Sequence, residues 1–273
     1  ESRVMCWGRN QYGELGIGTT ENSQALYPVE VLLPWNYDAV DIITGQYYAC
    51  TLLENGEIWC WGHNNYRQLG NSTTATESKI PVRVDLPEGR MAVSIKSSRY
   101  HTCAILDDGS MYCWGREYNG NMGRGTSGSS PTGQATPLEV LLPKNLRVIS
   151  MDIGFVHGCA ALSDYSLYCW GQNHYGQVGV GYISSTDANQ IITRPVEIDI
   201  QNYPPIVDIS LNYHNSCALH DDGSLTCWGR NNYGQVGEGT TNDISSPTFI
   251  QLEGGASASF ISVGQGHTCA GAN

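Results

Sequence analysis

Positive charge is scarce in this sequence. The 273 residues include 14 lysines and arginines against 26 aspartates and glutamates, which gives a formal net charge of −12. Nucleic-acid-binding proteins neutralise phosphates with clustered Lys and Arg side chains, so this balance argues against a polyanion-binding protein. We therefore expect no nucleic acid among the partners.

Long apolar runs are also missing. No stretch approaches the roughly 20 apolar residues that a membrane-spanning helix needs, so membrane insertion is not expected. Turn-forming residues are abundant instead, with 32 Gly and 11 Pro, and they favour many short elements over long helices. The chain is long enough for one large all-β domain, and we predict a single domain over residues 1–273.

Ten cysteines are present, an unusual number for a reducing compartment. Eight of them form pairs whose members lie ten positions apart: Cys50/Cys60, Cys103/Cys113, Cys159/Cys169 and Cys217/Cys227. Zinc ribbons place cysteines about two to four positions apart in paired knuckles, and the sequence has no such knuckle. The spacing therefore predicts disulfides and no metal, and it favours a secreted or extracellular location.

A five-fold internal repeat organises the chain. Cys-Trp-Gly recurs at residues 6–8, 60–62, 113–115, 169–171 and 227–229, in steps of 54, 53, 56 and 58 residues. Each repeat has four short β-branched or alternating runs, which predict strands A to D, for example at residues 92–96, 100–106, 110–115 and 138–142. Five such units predict an all-β fold, a five-bladed β-propeller of four-stranded antiparallel blades.

The loop between strands B and C explains the cysteine spacing. Asp107-Asp108-Gly109 reads as a three-residue hairpin loop with Gly where a left-handed conformation is needed. Positions equidistant from Asp108 then face each other, which places Cys103 opposite Cys113 within disulfide reach. Ser163-Asp164-Tyr165 departs from this pattern, and a Tyr in the Gly position predicts either strain or a different turn.

The two ends of the chain fit the same spacing. Four residues follow Cys269, and Cys6 is the sixth residue, so the two cysteines would be ten positions apart around a ring. We therefore predict that a blade shared between the N- and C-termini closes the ring. Strands A and B of that blade would come from residues 260–263 and 267–270, and strands C and D from residues 4–8 and 29–33. A Cys6/Cys269 disulfide would join the two halves.

The repeat resembles the regulator of chromosome condensation repeat family. The resemblance lies in Cys-Trp-Gly-x-Asn-x-Tyr-Gly-Gln-Val-Gly and in His-Thr-Cys-Ala before Asp-Asp-Gly, at residues 222–237 and 101–108. It covers essentially the whole chain and implies a β-propeller that binds proteins. Known members include a nuclear exchange factor for a small GTPase and a secreted bacterial inhibitor of β-lactamase. The better-known members have seven blades, and this chain adds a cystine to each blade, so no functional residue is transferred from them.

The topology predicts two different faces for the loops. A–B turns and C–D loops open on one side, where they collect aromatic residues and arginines, the types enriched at binding hot spots. The predicted partner-binding residues are Tyr47, Arg99, Tyr100, Arg116, Phe155 and Tyr213. Arg9, Arg67 and Arg230 come from C–D loops on the same side. The alternative is that these aromatics only pack on neighbouring blades.

The opposite side, formed by B–C turns and D–A loops, is acidic. Its carboxylates are Glu54, Glu57, Asp107, Asp108, Asp164, Asp221 and Asp222. They lack the alternating oxygen ligands of a calcium loop, so we predict hairpin turns on a solvated face. Trp35, in a D–A loop, is a separate exposed-aromatic candidate on this side.

The histidines do not indicate catalysis. His101, His157 and His267 share one repeat position, two residues before the B-strand cysteine, which predicts packing or turn capping. The Cys-Trp-Gly tryptophans are expected to pack between blades. No nucleophile elbow, metalloprotease helix or phosphate-binding loop is present, so we predict no catalytic residue, no cofactor and no enzymatic activity.

The sequence thus predicts an extracellular protein-recognition module that serves adhesion, inhibition or assembly. A multivalent glycan-binding lectin, with repeated shallow pockets, is the alternative. A GTPase exchange factor-like regulator or an enzyme is less favoured. Asn71-Ser72-Thr73 is an acceptor sequence that makes Asn71 a predicted glycosylation site. The oligomeric state stays open.

Overall fold

The computed structural model describes residues 3–34, 37–127, 133–183 and 191–272. These residues form twenty β-strands and a short 3₁₀ turn at Glu253–Gly255, with no α-helix among them. None of the described residues forms a helix with the length and apolar character needed to cross a bilayer. The chain divides into two compact units. Unit 1 spans Glu1–Glu117 and Ser129–Glu139, and unit 2 spans Tyr118–Gly128 and Val140–Asn273.

Unit 1 contains one two-stranded sheet and two four-stranded antiparallel sheets, each in sequence order. The two-stranded sheet consists of β1 (Met5–Arg9) and β2 (Gln24–Glu30). The first four-stranded sheet consists of β3 (Ala39–Thr44), β4 (Tyr48–Leu53), β5 (Ile58–His63) and β6 (Glu77–Arg83). The second consists of β7 (Ala92–Ser97), β8 (His101–Leu106), β9 (Met111–Gly115) and β10 (Gln134–Glu139).

Unit 2 contains two four-stranded antiparallel sheets and one two-stranded sheet. The first consists of β11 (Val148–Ile153), β12 (His157–Leu162), β13 (Leu167–Gln172) and β14 (Ile191–Ile198). The second consists of β15 (Ile206–Leu211), β16 (Asn215–His220), β17 (Leu225–Gly229) and β18 (Ile244–Ile250). The last sheet pairs β19 (Ala258–Val263) with β20 (Thr268–Ala272).

The predicted four-strand repeat is confirmed. Four complete sheets and two terminal two-stranded sheets supply the strands of five blades. Strands A, B and C of the β7–β10 sheet lie within one residue of their predicted bounds, but strand D was placed wrongly. It begins at Gln134 because Gln134 pairs with Gly115 across a bulge, and it ends at Glu139. Leu141, predicted as strand, instead donates its backbone N–H to the Gly123 carbonyl of the C–D loop.

The four cystines predicted within blades are present. Each joins directly opposed residues of strands B and C, with Cα–Cα distances of 4.0 to 4.1 Å. Each is fixed locally, since the hairpin loop sets the register of its two strands. The fifth predicted bridge, Cys6/Cys269, is not formed in this structure, where both cysteines are free. Cys6 lies on β1, which pairs with β2, and Cys269 lies on β20, which pairs with β19.

The Cys-Trp-Gly tryptophans of the four complete sheets pack between neighbouring sheets, as predicted, whereas Trp7 on β1 is 63% exposed and does not. Within unit 1, the indole of Trp61 is fully buried and its Nε1–H donates to the Glu14 carbonyl, 2.8 Å away in the β1–β2 loop. Within unit 2, Trp228 makes the matching bond to the Gln177 carbonyl at 2.9 Å. This motif therefore attaches each sheet to the loop of the preceding one.

All four B–C loops keep one turn conformation. Gly56, Gly109 and Gly223 have φ angles of 77°, 82° and 81°. Tyr165 occupies the same position with φ of 69°, so the chain keeps the turn with a residue that disfavours it. Of the two predicted alternatives, the structure has the unfavourable conformation and not a different turn.

Candidate functional site

The candidate site of unit 1 begins where the β1–β2 loop meets the turn between β3 and β4. The Arg9 guanidinium carbon lies 4.6 Å from the centre of the Tyr47 ring and 5.3 Å from that of Tyr12. The two tyrosine rings are themselves 5.6 Å apart. A C–D loop and an A–B turn therefore open on the same side within this unit, as the topology predicted.

A buried histidine continues this row of rings. The imidazole of His63 lies 4.8 Å from the Tyr12 ring and 6.3 Å from the Tyr66 ring. The backbone N–H of Tyr66 donates to Oε1 of Gln68, which leaves the amide nitrogen of Gln68 facing Nδ1 of His63 at 3.1 Å. An amide nitrogen can only donate, so Nδ1 accepts and the ring is neutral. Burial also lowers the pKa of His63.

The far end of the row carries two more arginines. The Tyr66 and Tyr100 rings are 4.9 Å apart, and the Arg116 guanidinium lies 4.7 Å from the first and 5.4 Å from the second. Arg99 lies 5.1 Å from the Tyr100 ring and also donates to the side chain of Gln46. We call this set the unit 1 array, and its members are Arg9, Tyr12, Tyr47, His63, Tyr66, Arg99, Tyr100 and Arg116.

Unit 2 contains a shorter array of the same kind. Phe155 and Tyr213 stack with ring centres 4.8 Å apart, and Tyr213 meets His214 edge-on at 4.6 Å. His214 also lies 4.7 Å from Tyr175, whose ring is 4.9 Å from the Arg230 guanidinium. Burial, with smaller contributions from the charges of Arg230 and His174, lowers the pKa of His214 to about 4. These four rings and the arginine form the unit 2 array: Phe155, Tyr175, Tyr213, His214 and Arg230.

The repeat explains why these side chains meet. The Cys-Trp-Gly glycine has a φ near 100°, as at Gly62 (99°), and it turns the chain out of strand C. The next residue donates its N–H to the carbonyl of the A–B turn, as His63 does to Tyr47 at 2.8 Å. A Cβ on Gly62 would lie 2.6 Å from that carbonyl oxygen, so only glycine fits. Each complete sheet thus holds its C–D loop against an A–B turn.

The six predicted partner-binding residues fall into both arrays. Tyr47, Arg99, Tyr100 and Arg116 lie in the unit 1 array, and Phe155 and Tyr213 lie in the unit 2 array. Their role in binding stays a prediction. Arg67 does not join them, because its guanidinium donates to the Thr73 carbonyl at 3.1 Å within its own loop.

Sequence reasoning missed five array members. They are Tyr12, His63, Tyr66, Tyr175 and His214. The signal for the tyrosines was available, since each stands five residues after the Trp of Cys-Trp-Gly, but that stretch was interpreted as turn chemistry alone. Nothing in the sequence marks His63 as different from the other histidines, because its glutamine partner becomes visible only in the folded loop.

The acidic side behaves as a set of hairpin turns. Oδ1 of Asp164 accepts hydrogen bonds from the backbone and hydroxyl of Ser166, and Asp222 accepts from the Ser224 backbone at 2.8 Å. Hydrogen bonds from serine two residues on lower the pKa of Asp108, Asp164 and Asp222. Trp35 lies outside the described residues.

His101 and His157 are buried, as the packing role predicted for the recurring histidine position requires, whereas His267 is exposed. In unit 2, Nε2 of His157 lies 2.9 Å from the hydroxyl of Ser216 in the next sheet. In unit 1, Tyr48 at the same repeat position bonds to the Thr102 hydroxyl at 2.9 Å. Burial lowers the pKa of His101 to about 4. Asn71 lies in the C–D loop of the β3–β6 sheet, half-buried, and its glycosylation stays a prediction.

Comparison with known proteins gives one family match, to the RCC1-like domain, over residues 3–273. A curated relative, the ultraviolet-B receptor UVR8 of Arabidopsis thaliana, is 28% identical over 257 residues, which cover 92% of this chain and 54% of UVR8. The chain thus spans about half the length of that relative.

Solved structures show the same fold. Prp20p of Saccharomyces cerevisiae, described with its binding to Gsp1p and histones, matches 99% of this chain and 64% of its own with a TM-score of 0.81 at 21% identity. The entire ectodomain of the receptor kinase CR4 of Physcomitrella patens matches 87% of this chain and 50% of its own with a TM-score of 0.51 at 20% identity. These similarities identify the sheets as blades of a β-propeller.

Proposed function

The chain belongs to the RCC1-like domain family, and from this premise we propose that it is a non-enzymatic propeller that binds a protein partner in an oxidising, extracellular setting. The observation that carries the proposal is the unit 1 array, where arginines lie against tyrosines on loops held by the blade repeat. The unit 2 array is a second contact region for the same class of partner.

The chemistry of the unit 1 array suits protein recognition. A guanidinium stacked on a tyrosine ring keeps its N–H groups directed outward for hydrogen bonds, and the stacking reduces the entropy lost on binding. Arg9 and Arg99 are exposed, while Tyr47, Tyr66 and Tyr100 are half-buried and held in place. Rigid aromatic surface beside forked donors is the composition typical of interface hot spots.

The relatives support a binding role. UVR8 is a receptor, and Prp20p binds Gsp1p and histones. Four buried cystines support an oxidising location, since disulfides are rare where thiols are kept reduced. Adhesion, inhibition and assembly are all compatible with such a module.

The test is affinity capture from the extracellular fraction of the source, with the double variant Tyr100→Ala/Arg116→Ala. We expect this variant to lose the proteins that the wild type retains, because it removes a ring and its stacked guanidinium from the array. The matched control is Arg83→Ala/Tyr112→Ala, which removes the same residue types from β6 and β9 of unit 1, outside the array.

Both variants should keep the wild-type far-ultraviolet circular dichroism spectrum. Capture that is unchanged in the array variant, or lost equally in both variants, would contradict the assignment of this surface. If the array variant instead unfolds, Arg116→Gln provides the comparison, because it removes the guanidinium and its charge but keeps a polar side chain.

A further inference from the structure

A cleft on the turn side of the β11–β14 sheet stands apart from both arrays. It has a volume of about 670 Å³ and lies between the B–C turn, which contributes Asp164 and Tyr165, and the chain that follows β14, which contributes Asp199 and Tyr203. This volume falls in the range of small-ligand sites, roughly 300 to 1,000 Å³. All the residues that line the cleft belong to unit 2.

Tyr165 gives no visible benefit to the fold. The corresponding residue is glycine in the other three B–C loops, where it adopts a left-handed conformation freely. Tyr165 holds the same conformation, which a side chain disfavours, and 53% of its surface is exposed at the cleft. The same turn forms with glycine in the other loops, and the Tyr165 ring is not buried in the core. We therefore ascribe the ring a role at the protein surface.

The equivalent cleft in the β3–β6 sheet has a different lining from the cleft in the β11–β14 sheet. Arg83 stands opposite Trp59 in that sheet and forms an ion pair with Glu57 at 3.1 Å, and no aromatic residue is found among the residues that line that cleft. In the β11–β14 sheet the position of Arg83 is taken by Glu197, opposite Tyr168. The Arg83–Glu57 ion pair of the β3–β6 sheet therefore has no counterpart here. Glu197 instead supplies a hydrogen-bond acceptor opposite Tyr168, in the cleft that Tyr165 lines.

The carboxylates of the cleft are held as separate acceptors. Asp164 accepts from Ser166, Glu197 accepts from the Tyr168 hydroxyl at 3.2 Å, and Asp199 accepts from the Gln201 backbone at 3.3 Å. Each carboxylate has further lone pairs for a ligand. Within the described part of the chain, these residues do not group closely enough to hold a metal ion. Dispersed acceptors around exposed rings suit a ligand with several hydroxyl donors.

We propose that this cleft binds a neutral saccharide, with a pyranose ring lying against Tyr165 and its hydroxyls donating to Asp164 and Glu197. An aromatic ring offers a flat apolar surface to the C–H face of a sugar, while carboxylates accept hydrogen bonds from its hydroxyls. Acidic sugars are excluded by repulsion from the same carboxylates. The aromatic lining distinguishes this cleft from its β3–β6 counterpart, so we expect one site per chain and not repeated pockets.

The test uses methyl glycosides of glucose, galactose, mannose and N-acetylglucosamine, followed by saturation-transfer NMR and calorimetry with the intact chain. We expect at least one probe to bind with a stoichiometry near one. Tyr165→Gly should weaken that binding at least tenfold while it raises the melting temperature, because glycine relieves the left-handed conformation. Tyr233→Ala removes another exposed tyrosine of unit 2 and should leave binding unchanged.

A second variant separates a saccharide from a cationic ligand. Asp164→Asn keeps an acceptor oxygen and the turn, since Asn55 fills the same role in the β3–β6 loop with Oδ1 3.0 Å from the Glu57 nitrogen. Saccharide binding should then change less than threefold. Binding of arginine methyl ester that Asp164→Asn abolishes, or no binding of any glycoside, would overturn the proposal. Capture through the unit 1 array should not respond to Tyr165→Gly, so the two proposals fail independently.

Discussion

The four complete sheets and the two terminal two-stranded sheets carry the same motifs in different surroundings. The Cys-Trp-Gly tryptophan is fully buried in every complete sheet, whereas Trp7 on β1 is 63% exposed. The B strand of each complete sheet is buried along its whole length, but β20 has no buried residue. Burial of these motifs therefore comes from the strands and loops beside them, and not from the motif itself.

The glycines show the same contrast. A Cβ on Gly171 would meet the Val156 carbonyl at 2.4 Å, while a Cβ on Gly8 would meet nothing within 4 Å. Both glycines have φ angles near 100°. The repeat thus needs glycine for its backbone angle in every copy, and for the close approach of an A–B turn in the complete sheets.

Truncating the tryptophan should give the largest difference between the two regions. We expect Trp61→Ala to lower the free energy of unfolding by about 3 to 5 kcal/mol, because it leaves a cavity and an unpaired Glu14 carbonyl. Trp7→Ala should cost less than about 1 kcal/mol, since little buried surface is lost. Urea unfolding followed by circular dichroism measures both. Equal losses would mean that Trp7 is buried in solution.

Replacing cysteines should also affect stability differently in the complete sheets and in the terminal sheets. Replacing Cys103 and Cys113 together by serine should cost about 3 kcal/mol, the loop-entropy value for a short cross-link. Replacing Cys6 and Cys269 by serine should change stability little, as both are free.

Thiol titration of the native protein checks the cysteine comparison directly. Two thiols should react with a disulfide reagent before unfolding. Cys269 should react first because it is exposed, and Cys6 more slowly because burial raises the pKa of its thiol and lowers the thiolate fraction. A native protein with no reactive thiol would contradict the free state of this pair.

The smallest of the expected changes in stability is the one that comes from pH. Burial holds the pKa of His101 at about 4, below its ordinary value of 6.5, so between these limits the unfolded chain binds a proton that the folded chain does not. The contribution of His101 to stability is therefore complete above pH 6.5 and is lost as the pH falls, by up to about 2 kcal/mol at pH 5.

Thermal melts between pH 7 and 5 measure this effect. His101→Asn should flatten the dependence, and asparagine already occupies the position at Asn215. His267→Asn, in the turn before β20, is the matched control at an exposed copy of the same repeat position. A steeper curve for the His101 variant would contradict the buried neutral state.

The parts of the fold that local rules determine could be predicted from the sequence. Cys103 and Cys113 follow from one hairpin loop, and the A–B turn aromatics follow from strand order. The Cys6/Cys269 bridge could not be predicted in this way, because counting positions around a ring says nothing about where β1 and β20 lie. Strand D of the β7–β10 sheet was misplaced because the bulge at Gly115 shifts its pairing.

The candidate site was predicted only in part for a similar reason. Tyr47 and Tyr100 lie at turns that the repeat makes obvious, whereas Tyr12 and Tyr66 come from loops whose course depends on the bulge before them. The contact between His63 and Gln68 depends on the folded loop, which no periodicity reveals.

That histidine–glutamine contact, repeated at His214 and Gln177, also sets how the arrays respond to their surroundings. The glutamine amide fixes one tautomer of each imidazole, and burial lowers the pKa of both rings, to about 4 for His214. Arginines, which stay charged at any physiological pH, therefore supply all the positive charge of the two surfaces. The charge of the unit 2 array should therefore be nearly the same at pH 7 and at pH 5, because His214 stays largely neutral at both.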